Sequence, residues 1–244
     1  MRNIRIDMCY EGTRYRGWQR LSNTDNTLQE KLERALSRIL DEPIEVSASG
    51  RTDAGTHAML QVVNFHCVST MPCEEILSQL RRYLPEDIGI YSCKNVSERF
   101  HARLNAKTKT YLYRVWNSQQ PCVFERKFVH IDLSPLDVDA MSKAAKYFIG
   151  EHDFVAFCAN KRMKKSTVRY IHDFTVVQAG NEIRFTVTGN GFLHHMVRIM
   201  VGTLLEVGRG ERAPESIDGL FSGTRAETGA LIPANGLCLM EVTY

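Results

Sequence analysis

The amino-acid sequence predicts an α+β fold built from two ferredoxin-like (RRM-like) halves, each with the element order β-α-β-β-α-β. Alternating apolar residues, typical of strands, and apolar residues three or four apart, typical of helices, follow one another in this order in residues 1–104. The same order recurs in residues 105–244 with little sequence identity to the first half. Because such a unit places a mainly antiparallel sheet under two helices, we expect the halves to form one extended sheet with helices on one face and a central cleft.

The first half begins with a strand over residues 4–10. A helix follows in "TLQEKLERALSRIL", where Thr27 opens the helix as its N-terminal cap. Two strands, "IEVSA" and "MLQVVNFHC", flank the loop "SGRTDAGTHA". The helix "EEILSQLRRYL" and the strand "IGIYSCKNV" complete this half.

The second half begins after a joining segment near "HARLNAKTK" with the strand "KTYLYRVWN". The helix "DVDAMSKAAKYFIG" and the strands "VRYIHDFTVVQ" and "NEIRFTVTG" come next. A long helix is predicted in "FLHHMVRIMVGTLLEV", and the closing strand in "LCLMEVTY".

Composition restricts the class of protein. Lys and Arg exceed Asp and Glu by only three (31 against 28), which is too few to identify a partner. Seven cysteines without a C-x-x-C pair indicate reduced thiols in a cytoplasmic protein and argue against a disulfide framework or a zinc site. No apolar run approaches the roughly 18 residues of a membrane span, and no signal-peptide pattern precedes the first strand, so we expect neither membrane insertion nor secretion.

The loop "SGRTDAGTHA" places an acid close to a base between two glycines. Gly50 and Gly55 permit unusual backbone angles or a close approach by another group. One interpretation is an ordinary turn in which Asp53 caps its own backbone. The other is a reactive carboxylate, with Arg51 two residues earlier holding the loop or a phosphate.

The late helix carries a charge that its surroundings do not explain. Apolar residues cover nearly every face, which predicts burial, yet Arg198 lies in the middle. A buried guanidinium needs an anion, which is either a structural acid or Asp53. Burial raises the pKa of an aspartate from about 3.9 by roughly 3–5, and an adjacent Arg lowers it by about 1–3, so this pairing would keep Asp53 ionised.

These segments resemble the TruA family of tRNA pseudouridine synthases. "SGRTDAGTHA" is similar to the family motif G-R-T-D-A-G-V-H-A, and further family blocks follow in family order over almost the whole chain. They are "YEGTRYRGWQ", "TLQEKLERAL", "FHARLNAKTKTYLY", "GNGFLHHMVRIMVG" and "GLCLMEVTY". The sequence departs from the family pattern at Leu21, Thr56 and Ile199, and the family commonly has Val in place of Thr56.

The resemblance implies an enzyme that isomerises uridine to pseudouridine. It makes Asp53 the catalytic nucleophile, Arg198 its ion-pair partner, and Tyr111 the residue that stacks on the target base. Alternation in "TYLYRVW" places Tyr113 on the same face as Tyr111, so at least one of the two belongs to the core or the cleft wall. The family's reaction requires no cofactor and no metal.

The resemblance further implies a tRNA substrate modified at positions 38, 39 and 40 of the anticodon stem-loop, and a homodimer. Residues 1–104 would then carry the catalytic loop, and residues 105–244 the stacking tyrosine and the Arg helix. The candidates for phosphate contact are Arg14, Arg16, Arg20, Arg51, Arg103, Lys161, Arg162, Lys164 and Lys165.

Two other functions stay open. The first alternative is a paralogue with a shifted RNA target, and the second is an RNA-binding protein that has lost the chemistry. A phosphate-handling enzyme built on "YEGTRYRG" is a weaker alternative, because the stretch lacks both the Walker lysine spacing and a G-x-G-x-x-G turn.

Overall fold

The computed structural model describes residues 1–160 and 165–244, and the chain forms two compact units. The first unit contains Met1–Lys107 and Leu239–Tyr244, and the second contains Thr108–Cys238. The predicted boundary between residues 104 and 105 stays a prediction. The strands are β1 (Arg2–Tyr10), β2 (Ser47–Ala48), β3 (His57–Cys67), β4 (Ile88–Val96), β5 (Thr108–Trp116), β6 (His130–Ile131), β7 (Gly150–Asp153), β8 (Val168–Ala179), β9 (Glu182–Gly189) and β10 (Leu237–Thr243). The α-helices of the described residues are α1 (Leu28–Leu40), α2 (Cys73–Tyr83), α3 (Val138–Ala145), α4 (Met196–Gly208) and α5 (Ser216–Leu220).

In the first unit, β1 pairs antiparallel with both β3 and β4, which gives the order β4-β1-β3. Ile4, Ile6 and Met8 alternate along β1 and are wholly buried, as the period of two requires for a strand with one face in the core. Helix α1 buries an apolar stripe at spacing four, and its first turn is capped by the Thr27 hydroxyl, which accepts the Glu30 N–H at 3.3 Å.

In the second unit, β5, β9, β8 and β7 pair antiparallel in that order, and the short β6 pairs parallel with β5. Helix α4 is buried on nearly every face, as its composition predicts. No helix among the described residues has the length and apolar character needed to cross a bilayer.

The predicted fold class, α+β with a mainly antiparallel sheet, is confirmed. Three predicted boundaries are wrong. The long helix begins at Met196 because His195, its N-cap, has a φ of 63°, which is not helical. The strand predicted in "IEVSA" shrinks to β2, since the Val46 N–H bonds the Glu33 carboxylate of α1. Helix α3 ends at Ala145 and continues only as a 3₁₀ turn.

Candidate active site

The loop between β2 and β3 contains a tight turn at the predicted acid. The Asp53 carbonyl accepts the Thr56 N–H at 3.1 Å, and Gly55 has a φ of 82°. A positive φ at the third residue alone is the signature of a type II turn, for which glycine is preferred. The unusual backbone angle expected of the glycines therefore occurs at Gly55, and Gly50 has no positive φ.

The side chains of this loop divide by exposure. Ser49, Thr52 and Thr56 are buried, Arg51 is exposed and Asp53 is half-buried. The small polar side chains thus face the interior of their own unit, while the two charged side chains reach its surface. This arrangement suits a carboxylate that must meet a ligand.

The segment 11–20, "EGTRYRGWQR", packs closely against the loop. Gly17 has a φ of 92°, and a Cβ there would lie 3.0 Å from the Thr52 carbonyl oxygen and 3.2 Å from the Asp53 carbonyl carbon. The next residue, Trp18, donates its backbone N–H to the same Thr52 oxygen at 3.0 Å. Only glycine fits at position 17 without moving the backbone on which Asp53 lies.

A second close contact fixes the other end of the loop. The Gly12 N–H donates to Nδ1 of the buried His57 at 2.9 Å, and a Cβ on Gly12 would overlap the Thr56 carbonyl oxygen. The sequence alone assigned no role to His57 and did not predict the backbone contacts of Gly12 and Gly17. The signal was present in the two glycines of "EGTRYRGW", although nothing in the sequence says which backbone they touch.

Two of the predicted phosphate-binding arginines have acidic partners within the first unit. Arg14 pairs with Asp87, with Nε 2.5 Å from Oδ2, and Arg20 pairs with Glu33 at 3.0 Å. Both arginines are exposed, so these pairs stabilise the fold only slightly. They do, however, compete with a phosphate for the guanidinium.

Three other predicted arginines of the first unit are exposed and have no ion pair with any described residue. They are Arg16, Arg51 and Arg103. The predicted contacts Lys161, Arg162 and Lys164 lie outside the described residues, and Lys165 is exposed. The cations with the least competition for a phosphate are therefore the first three and Lys165.

The second unit distinguishes the two tyrosines of β5. Tyr113 is wholly buried, and its hydroxyl donates to the Pro233 carbonyl oxygen at 2.7 Å. Burial raises the pKa of the Tyr113 phenol far above its ordinary value of 10. Tyr111 is 7% exposed, and its ring meets the Phe192 ring edge to face at 5.1 Å. Both tyrosines are therefore buried, and Tyr113 is the one with no exposed surface.

The start of α4 carries two histidines and the predicted arginine. His194 is exposed, His195 is half-buried, and their rings lie 3.7 Å apart. Both precede the first helical residue of α4, so neither shares a helix face with Arg198. Arg198 is half-buried, and its Nε donates to the Ile232 carbonyl oxygen at 2.8 Å.

Backbone contacts hold α4 against the segment that includes Ile232. A Cβ on Gly202 would overlap the Ala230 carbonyl oxygen, and the Thr203 hydroxyl accepts the Gly229 N–H at 3.0 Å. These contacts fix the helix and the carbonyl that orients Arg198 as one piece. Asp53 and Arg51 belong to the first unit, and Tyr111 and Arg198 to the second. The ion pair between Asp53 and Arg198 stays a prediction.

The family model and the curated relatives agree on one family. A family model described as tRNA pseudouridine synthase matches residues 8–105 and 144–244. The chain is 43% identical to "tRNA pseudouridine synthase A" of Bacillus sp. (strain KSM-64), with 100% of each sequence covered. It is 42% identical to "tRNA pseudouridine synthase A 2" of Clostridium perfringens and to "tRNA pseudouridine synthase A 1" of Clostridium tetani, again with full coverage of both sequences. Among solved structures, it is similar to a chain of a Cbf5-Nop10-Gar1 complex at a TM-score of 0.40 and 11% identity, covering 97% of this chain and 48% of that one.

Proposed function

Because the chain belongs to the tRNA pseudouridine synthase family, we propose that it converts uridine to pseudouridine at positions 38, 39 and 40 of the tRNA anticodon stem-loop. In this proposal Asp53 is the nucleophile and no cofactor takes part. The observation that carries it is a half-buried carboxylate at the surface of a loop whose neighbouring polar side chains are buried.

The reaction is an isomerisation that needs one carboxylate. The bond from N1 to the sugar breaks, the base rotates, and C5 bonds to the sugar. C5 then loses its proton and N1 gains one, so that the product is an isomer of uridine. An ionised Asp53 either attacks the sugar carbon or the base, or removes a sugar proton to give a glycal. Both routes require the carboxylate to stay charged while RNA covers it. Both also require its position to be fixed.

Arg198 and Tyr111 are the proposed partners of Asp53. Arg198 would keep the carboxylate ionised, and the Ile232 carbonyl, which binds Nε, supports this role by fixing the plane of the guanidinium. Tyr111 would stack on the extruded uridine and so compensate part of an unstacking cost of a few kcal/mol. Its edge-to-face contact with Phe192 supports a fixed ring plane.

The proposed partners beyond the active site are a tRNA and a second copy of the chain, acting in the cytoplasm. Arg16, Arg51, Arg103 and Lys165 are the strongest candidates for phosphate contact, since none has a competing ion pair among the described residues. Arg51 also lies two residues from Asp53, where it would contact the RNA backbone close to the target uridine.

The decisive test is to map pseudouridine in unmodified tRNA transcripts after incubation with the purified protein. The variants are Asp53→Asn and, as a matched control, Asp25→Asn, which neutralises an exposed aspartate of the same unit. We expect product at positions 38–40 from the unsubstituted protein and the control, and none from Asp53→Asn. Product at other uridines would identify a shifted target, and binding without product would identify a silent RNA-binding protein. Equal product from Asp53→Asn would exclude the nucleophile.

The salt dependence of tRNA binding tests the phosphate contacts. Each lost phosphate contact makes the negative slope of the log association constant against the log salt concentration shallower by about 0.7–0.9. We expect that decrease for Arg16→Gln and Arg51→Gln. A smaller decrease is expected for Arg14→Gln and Arg20→Gln, whose guanidinium groups already have acidic partners. Equal slopes for all four variants would exclude this ranking.

A further inference from the structure

The middle of β3 contains a buried amide with every hydrogen bond made. Gln61 has no exposed surface. Its Oε1 accepts the Ser49 hydroxyl at 2.6 Å and the Val62 N–H at 3.2 Å. Its Nε2 donates to the Gly50 carbonyl oxygen at 3.0 Å and to the Tyr10 hydroxyl at 3.4 Å. These four bonds use both acceptor sites and both donors of a glutamine side chain.

Two of the four partners of this amide belong to the loop that carries Asp53, and a third, Tyr10, connects to it. Ser49 and Gly50 are bonded directly, and the Tyr10 hydroxyl extends the network to the Thr52 hydroxyl at 2.8 Å. The network therefore holds three of the four residues that precede Asp53. The remaining one, Arg51, is exposed. None of these bonds joins Gln61 to the side chain of Arg51 or Asp53.

A buried amide at this position is poorly explained by stability alone. An apolar side chain would fill the same space, whereas an amide is tolerated inside only if its donors and acceptors are satisfied. All four bonds form only when the loop has this one conformation. Any other loop conformation would leave several buried polar groups without partners, so the network selects one backbone path for the loop.

We infer that Gln61 is a positioning residue for the isomerisation, acting through Ser49, Gly50 and Thr52 to fix the carboxylate of Asp53. This inference rests on the proposed function, because a fixed carboxylate matters only if Asp53 reacts. A displacement of about 1 Å at a reacting group lowers a rate by as much as about 100-fold, which makes the path of the loop a catalytic variable.

The experiment compares Gln61→Met with Asn64→Leu. Gln61→Met keeps the length of the side chain and removes all four bonds. Asn64 is a matched control on the same strand. Its buried amide accepts the Ala102 N–H at 2.8 Å and donates to the Phe100 carbonyl oxygen at 3.3 Å, away from the loop. We expect both variants to lower the melting temperature by similar amounts.

Only Gln61→Met is expected to slow the single-turnover conversion of saturating tRNA, by roughly 10-fold to 100-fold, with the dissociation constant for tRNA within about twofold of the unsubstituted protein. Tyr10→Phe removes just the hydroxyl that joins Gln61 to Thr52. It is the second variant should Gln61→Met fail to fold, and a several-fold slower conversion is expected. An unchanged rate in the folded variants, or an equal loss of rate in Asn64→Leu, would leave Gln61 with a structural role only.

Amide hydrogen exchange in residues 49–56 separates this inference from the proposed function. Exchange in this loop is expected to be faster in Gln61→Met than in Asn64→Leu, whether or not the protein makes pseudouridine. Absence of product from the unsubstituted protein would overturn the proposed function. Unchanged exchange in the loop of Gln61→Met would overturn the inference.

Discussion

The hydroxyl of Thr56 is the clearest local defect next to the proposed nucleophile. Thr56 is 1% exposed, and its Oγ1 has no hydrogen-bond partner among the described residues. The Thr56 backbone N–H donates to the Asp53 carbonyl oxygen, and Gly12 packs against the Thr56 carbonyl. The family that the chain resembles commonly has Val here.

The substitution Thr56→Val is expected to stabilise the protein. A buried polar group without a partner costs about 1–3 kcal/mol, and valine replaces the hydroxyl with a methyl group of similar size. The free energy of unfolding should therefore rise by about 1–3 kcal/mol. For a protein of this length, each kcal/mol raises the melting temperature by about 2–4 °C.

Urea unfolding followed by circular dichroism measures the change. Thr52→Val is the matched control, because Thr52 lies in the same loop but its hydroxyl is bonded to the Tyr10 hydroxyl at 2.8 Å. The same substitution there should lower the free energy of unfolding by about 1 kcal/mol. Opposite signs at the two positions are the expected result. A Thr56→Val protein that is no more stable than the original would refute the argument.

Three further predictions follow from single contacts. Gly17→Ala should lower the free energy of unfolding by about 1–2 kcal/mol because of its positive φ, and should also slow isomerisation. The control Gly210→Ala, with a φ of 74° and open space around it, should lower stability only. Equal isomerisation rates for the two variants would contradict the close contact at position 17. Tyr113→Phe should lower the free energy of unfolding in urea by about 1 kcal/mol, because the Tyr113 hydroxyl donates to a backbone carbonyl. The isomerisation rate should stay unchanged, and a loss of rate would exclude a purely structural role for Tyr113. Hydrogen bonding from Arg114 lowers the pKa of Glu182 below its ordinary 4.5. The stability that ionised Glu182 contributes is therefore present above a pH of about 4.5 and is lost as the pH falls toward the pKa in the folded protein. Glu182→Gln should reduce the fall of the urea midpoint in acid, and an unchanged fall would show that other groups cause it.

Local signals in the sequence predicted much of the fold. Thr27 before an apolar stripe at spacing four predicted the start of α1, and the continuous apolar composition of α4 predicted its burial. The errors arose where distant groups take over the backbone. The Glu33 carboxylate bonds the Val46 N–H and shortens β2, and the left-handed angle of His195 delays α4. Such contacts join residues far apart in sequence or depend on one backbone angle, so periodicity does not reveal them.

The candidate site shows the same division. Asp53 was visible because Arg51 lies two residues earlier and because Arg198, in an apolar helix, needs an anion. Gln61 was not visible, since one polar residue in a strand is ordinary, and its proposed role depends on four bonds to two other segments and its own neighbour. Tyr111 and Tyr113 are equivalent by alternation, and only burial and a hydrogen bond to Pro233 separate them.

The first unit fixes the path of the loop that carries Asp53 through its own contacts. Gly17 and Trp18 hold the Thr52 carbonyl from one side, and the Gln61 amide holds Ser49 and Gly50 from the other. Ordering one residue of a flexible loop costs about 1–2 kcal/mol of backbone entropy. If a loop of this length became ordered only on binding, that cost would be subtracted from the free energy of tRNA binding. Since folding already orders the loop, the free energy of RNA binding remains available to unstack the uridine. A loop ordered in advance also explains why two glycines and a buried amide, none of them charged, lie where the chemistry is proposed.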